Sequence, residues 1–112
     1  MSFYTVLKTE LKNKKYIIAA LKEMEKRGEL LKCEINEKKE TMEVDRDGDI
    51  ITVSRQKDGN YEVAGDARVV KTFSDRLKQI YALESIKDNL PLDFEIAQET
   101  ESVGEIQILL KG

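Results

Sequence analysis

Apolar positions along the chain change their spacing several times, and each change predicts an element. Phe73, Leu77, Ile80 and Tyr81 fall at i, i+4, i+7 and i+8, one stripe of a 3.6-residue helix. Thr72 and Asp75 stand before it in capping-box spacing, with Asp in place of the usual Glu or Gln, which predicts the helix start there. Asn89 and Pro91 predict its end, since Asn tolerates a left-handed cap and Pro cannot continue the ladder. An earlier stripe, Ile17, Ala20, Leu21 and Met24, lies between Asn13, a good N-cap, and Gly28, where a C′ glycine belongs.

Elsewhere the period is two. Phe3, Thr5 and Leu7 alternate with Tyr4, Val6 and Lys8, which predicts a first strand within residues 2–10. From Leu30 to Asp66 the alternation runs through Leu31, Cys33, Ile35, then Met42 and Val44, then Ile50 to Val53, then Tyr61 to Ala64. Asp47-Gly48 and Asp58-Gly59 sit between such runs, and Asp-Gly at that place is a strong hairpin signal because both residues accept positive φ. Whether residues 30–35 pair into this meander is left open. Phe94 and Ile96, then Ile106, Ile108 and Leu110, predict two closing strands. The expected fold is α+β: a single domain over residues 1–112, with one mostly antiparallel sheet and two helices packed on one of its faces. The expected order is strand, helix, a meander of three or four strands, helix, hairpin.

Composition sharpens this in a few respects. With 112 residues the chain can bury one core without staples. Charged residues are 37% of it, against about a quarter in an average domain. The net charge of −3 argues against a general polyanion binder, although residues 1–39 carry ten basic and six acidic side chains, net +4. A single cysteine, Cys33, excludes an intrachain disulfide and points to a reducing compartment. The longest apolar run, Tyr16 to Leu21, is far too short to span a bilayer and no signal-peptide pattern is present, so a cytoplasmic location is expected. There is no histidine, which removes the commonest general base and transition-metal ligand.

Three stretches carry a resemblance. Met1-Ser2 with Leu7-Lys8-Thr9 and a helix holding Ala20-Leu21, Asp58-Gly59-Asn60-Tyr61 leading to Asp66, and Gln79, Tyr81, Ala82 followed by Phe94 and Ile106-Gln107-Ile108 are together similar to a cyanobacterial and plastid family, the hypothetical chloroplast reading frame numbered thirty-five. The resemblance bears on fold and carries no activity over to this chain. Phe3 and the neighbourhood of Glu84 lack the histidines typical of that family, and Val69-Val70 replace its aromatic.

Candidate chemistry is thin. Glu43, Asp45, Asp47, Gly48, Asp49 and Ile50 match the first positions of a calcium loop, but the bidentate Glu at its twelfth position is replaced by Ser54, and the flanks read as strands. The hairpin reading outweighs the cation site. Lys12, Lys14, Lys15, Lys22, Lys26 and Arg27 could follow phosphates along the first helix. Glu23 and Glu25 interrupt them, however, and no aromatic platform is interleaved. Cys33, mid-strand, reads as a small core residue rather than a nucleophile. Asp66 precedes Arg68 at the exit into the second helix; a turn-capping or ion-paired role outweighs catalysis, for which Glu84 or Tyr81 would have to be its partner.

These features predict a small noncatalytic accessory or binding protein acting through protein contact, with a protein partner or a second copy of the chain. Neither nucleic acid nor a membrane is the expected partner. The alternative is a small-ligand-binding protein or metal-independent enzyme using Asp66 and tyrosines, and the second alternative is an RNA-binding module using the Lys-rich first helix. Asp66, Arg68, Tyr61, Tyr81 and Ile50 are the candidate binding residues; no catalytic residue, metal or cofactor is assigned. The interaction face is expected where Ile50 adjoins Met42, Val44 or Val63 across strands.

Overall fold

The computed structural model describes residues 3–89 in full and, beyond them, the backbone of strands Glu95–Ser102 and Glu105–Lys111. Strands β1 (Tyr4–Lys8), β2 (Lys32–Asn36), β3 (Thr41–Arg46), β4 (Asp49–Arg55) and β5 (Tyr61–Asp66) form one antiparallel sheet in the order β1-β5-β4-β3-β2. Helix α1 (Lys14–Lys26) links β1 to β2, and helix α2 (Ala67–Asp88) follows β5. Four successive antiparallel pairings make β1 and β2 parallel to each other at opposite edges, so their connection must cross the sheet, and α1 is that crossover. The last two strands, β6 (Glu95–Ser102) and β7 (Glu105–Lys111), pair with each other as a separate two-stranded sheet. This is an α+β fold in the order that the periodicities predict, and residues 32–36 do pair into the meander. Pro91 and Phe94 lie outside the described residues, as do the side chains of Ile96, Ile106, Ile108 and Leu110.

Local chemistry accounts for most boundaries. Asn13 caps α1 by accepting the Lys15 amide at 2.9 Å. At the other end the Gly28 amide donates to Glu25 and the Glu29 amide to Met24, at 3.0 and 2.9 Å. That is the Schellman pattern, closed by Gly28 at φ +80°. The β3–β4 hairpin turns on Asp47 and Gly48, both left-handed at φ 51° and 94°. Two such residues define the type I′ turn whose twist matches the strands. The β2–β3 turn has no glycine; Glu40 takes φ 51° and the Asn36 side chain accepts the Lys39 amide on Oδ1 at 3.1 Å.

Helix α2 departs from expectation. It starts at Ala67, with Asp66 as N-cap accepting the Arg68 amide at 2.8 Å. Thr72 and Asp75 are exposed positions inside the helix, and Asp75 pairs with Lys71 at 2.9 Å. The extra turn forms because it brings Val70 into the core beside Phe73 and Leu77, and buried apolar area outweighs the mild helix aversion of Val69-Val70.

Both helices cover one face of the sheet. Ile17, Ala20, Leu21 and Met24 of α1 meet Val70, Phe73, Leu77 and Ile80 of α2 over Met42, Val44, Ile51, Val53, Tyr61 and Val63. Gly65 lets α2 sit close, since a Cβ there would lie 3.1 Å from the Ile50 carbonyl oxygen and 3.2 Å from Val70 Cγ2. Leu30 is buried before β2 begins, whereas Leu31, expected on the inner face with Cys33 and Ile35, is 67% exposed. The bend that follows the Schellman turn sets it outside the β2 alternation.

Candidate functional site

The five candidate residues fall into two groups at opposite ends of β5. At its C-terminal end Asp66 is consumed by its own helix. Its Oδ1 accepts the Arg68 amide at 2.8 Å and Arg68 Nε at 2.9 Å, and its Oδ2 accepts Arg68 Nη2 at 3.0 Å. Arg68 also approaches Asp49 at 3.8 Å, next to Ile50. Tyr81 and Glu84, the partners catalysis would need, lie 15 and 18 residues further along α2, roughly 22 and 27 Å at helical rise. No Asp66 dyad with either is possible. The carboxylate is a cap and a fork for Arg68, as its sequence context favours.

Tyr61 and Tyr81 belong to the other end. The Tyr81 hydroxyl accepts the Asn13 amide at 3.1 Å, and its ring meets Tyr16 edge-on, with centroids 5.6 Å apart. The Tyr16 hydroxyl donates to Asp88 at 2.7 Å and accepts from Asn89 Nδ2 at 3.0 Å, while Lys15 Nζ donates to Asp88 at 3.1 Å. The Tyr16 and Lys15 donors hold the Asp88 carboxyl below its ordinary range. This cluster ties the start of α1 to the end of α2. Arg76, in the middle of α2, ties that helix to the turn that follows α1, donating from Nε and Nη2 to the two oxygens of Glu29 at 2.7 and 2.9 Å. Neither link was legible in the sequence, where the partners stand 72 and 47 residues apart.

Tyr61 is buried, yet its hydroxyl has no hydrogen-bond partner among the described residues. Burial, with the Glu40 carboxylate nearby, pushes the phenol above its ordinary pKa. Tyr61 lines a hollow of about 490 Å³ together with Lys12, Asn13, Lys14, Glu40 and Arg55.

The remaining candidate, Ile50, stands on the sheet face that the helices leave open, and is 53% exposed. Its expected neighbours are wrong, because Met42, Val44 and Val63 are all on the helix face and buried. Register pairs Ile50 with Asp45 on β3, and the exposed apolar groups on its own face are Tyr4 and Val6 of β1, 72% and 48% exposed. Their rows run Tyr4–Asp66 and Val6–Ala64–Thr52. Edge strand β2 is different, with its outer positions held by the Lys32–Glu34 ion pair at 2.6 Å.

The acidic loop is a hairpin, in which Asp45 Oδ1 accepts the Gly48 amide at 2.8 Å. Among the described residues no three His, Cys, Asp or Glu side chains group to hold a metal, and no helix is long and apolar enough to cross a membrane. Cys33 is half-buried against the core, and burial, with Glu25 adding to it, pushes its thiol up. On the Lys-rich helix, Lys15 and Arg27 are paired with Asp88 and Glu23.

Comparison with protein-family models, curated proteins and solved structures returns no match.

Proposed function

We propose that this chain is a noncatalytic protein-contact module that binds by strand addition at β1. The supporting observation is the chemistry of that edge. The Phe3 carbonyl accepts the Ala67 amide, and the Thr9 amide donates to the Tyr61 carbonyl. In an antiparallel ladder this parity directs the backbone of Thr5 and Leu7 at β5 and that of Tyr4, Val6 and Lys8 outward. The three outward residues carry one charge, no proline and two exposed apolar side chains. Edges are ordinarily blunted by charge, proline or a bulge, and an unblunted edge is a template for another strand.

The occupant that fits is a second copy. Antiparallel pairing of two β1 strands about Val6 sets Val6 against Val6, Tyr4 against Lys8 and Lys8 against Tyr4. All three are outward-bonding positions, and the ammonium–aromatic pairing is favourable. Sedimentation from micromolar to hundred-micromolar protein tests this. The dimer is expected to appear with concentration. Val6→Pro abolishes it without loss of Tm, because the amide it removes points away from β5. Ile50→Lys separates the edge from the open face. A strictly monomeric mass throughout refutes self-association at β1.

A further inference from the structure

The hollow beside Tyr61 carries an inference independent of the β1 edge. Its wall is assembled from three elements that meet only in the fold: the entry to α1 (Lys12, Asn13, Lys14), the end of β4 (Arg55), and the β2–β3 turn (Glu40). Tyr61 forms its floor, wholly buried and with an unpartnered hydroxyl. A buried hydroxyl without a partner is costly, and this one lies within electrostatic reach of Glu40 and Arg55, which line the same hollow. The site thus offers a donor that the fold itself does not use.

The rest of the wall is cationic. Lys12 and Lys14 have no ion pair among the described residues. Arg55 donates from Nη1 to Glu40 at 2.9 Å, so Glu40 offsets one of three positive charges and two are left over. The hollow also opens on the N-terminus of α1, where Asn13 Oδ1 satisfies the Lys15 amide and the Asn13 carbonyl takes those of Tyr16 and Ile17. The Lys14 amide is left without a partner among the described residues, and the positive end of the helix dipole adds to the field.

We propose that this hollow binds a phosphomonoester group. The donors are an ammonium pair, a guanidinium, the Tyr61 hydroxyl and the Lys14 amide. They belong to residues that line one hollow from three elements, and donors in that number suit an oxyanion with several acceptor oxygens better than a planar carboxylate. The Glu40 carboxylate stays on Arg55 and orients the guanidinium. The bound group is a dianion at neutral pH, and matches the two uncompensated positive charges.

The test is a titration with inorganic phosphate, followed by calorimetry and by the amide shift of Lys14. Acetate is the carboxylate control. Saturable phosphate binding that moves Lys14 and not Lys22, with acetate at least tenfold weaker, is the expected result. Tyr61→Phe keeps the ring and the core, and should weaken phosphate roughly tenfold by removing one charge-assisted bond. Lys12→Gln, at an exposed position, and Lys14→Gln, at a partly buried one, should each weaken it and flatten its salt dependence. A sugar phosphate and a neutral phosphoserine peptide then distinguish the carriers: whichever binds more tightly than inorganic phosphate is the source, and equal affinities assign recognition to the phosphate group alone. Unchanged phosphate affinity in Tyr61→Phe, or acetate binding as tightly as phosphate, overturns the proposal and leaves the hydroxyl to a water molecule.

Discussion

Where α2 begins can be decided by two substitutions. Asp66→Ala removes the acceptor of the Arg68 amide at 2.8 Å, and N-cap removal costs about 1 kcal/mol, with a range of roughly 0.5–2. A carboxylate at the positive end of a helix adds about 0.3–1 kcal/mol, which overlaps with the cap. The fork to Arg68 adds little, because that side chain is 70% exposed and the pair is screened. The expected loss is about 1.5–2 kcal/mol. Unfolding entropy of about 2.1 cal/mol/K per residue over the 112 residues gives about 0.24 kcal/mol/K. Asp66→Ala should therefore lower Tm by about 6–8 °C in calorimetry at neutral pH. Asp66→Asn retains a cap oxygen and should keep most of that stability. Thr72→Ala, an exposed site inside the helix, should leave Tm unchanged or raise it by up to about 2 °C. If Thr72→Ala is the damaging change and Asp66→Ala is silent, the helix starts a turn and a half later and Asp66 is not its cap.

Leu77→Ala empties a buried site; three carbons are worth about 2.4 kcal/mol in transfer and the cavity adds to it, so a loss of about 2.5–5 kcal/mol is expected in urea titration. Lys78→Ala, on the exposed side, should cost under about 0.5 kcal/mol, and equal midpoints for the two would contradict the packing of α2. Gly65→Ala should destabilise by about 1–3 kcal/mol, since its Cβ meets a carbonyl oxygen and Val70 at 3.1 and 3.2 Å; a neutral result would mean that α2 yields without penalty. The Arg27 guanidinium holds the Glu23 carboxyl below its ordinary range. The pair's contribution of about 0.3–0.5 kcal/mol is thus present above the ordinary carboxylate pKa and lost as pH falls through Glu23's lowered one. Glu23→Gln should match the parent in strong acid and trail it at pH 7 by about that amount, and a constant gap across pH would refute the linkage. Cys33, its thiol pushed up by burial, should be alkylated by iodoacetamide at neutral pH more slowly than free cysteine. A rate equal to that of the free thiol, read by intact mass, would show the site to be open.

The parts of this fold legible in the sequence are those governed by neighbours a few residues away. Ile17, Ala20, Leu21 and Met24 declare the buried face of α1 because a helix returns to one side every 3.6 residues. Asn13, Gly28 and Asp47-Gly48 declare their caps and turn because each satisfies or permits a backbone geometry by itself. The same local logic misplaces the start of α2 at Thr72, since only the packing of Val70 on the sheet shows that the preceding turn is worth forming. It also misjudges Leu31 and the neighbours of Ile50: alternation tells which residues share a face, but the bend after α1 and the strand register decide which face is covered. Tertiary structure alone assembles the Tyr16–Asp88 and Arg76–Glu29 ties, the free β1 edge and the hollow over Tyr61. Each of these joins residues far apart in the chain, and what brings them together is the burial of the two helical stripes against one sheet face, a non-directional force that local spacing does not encode.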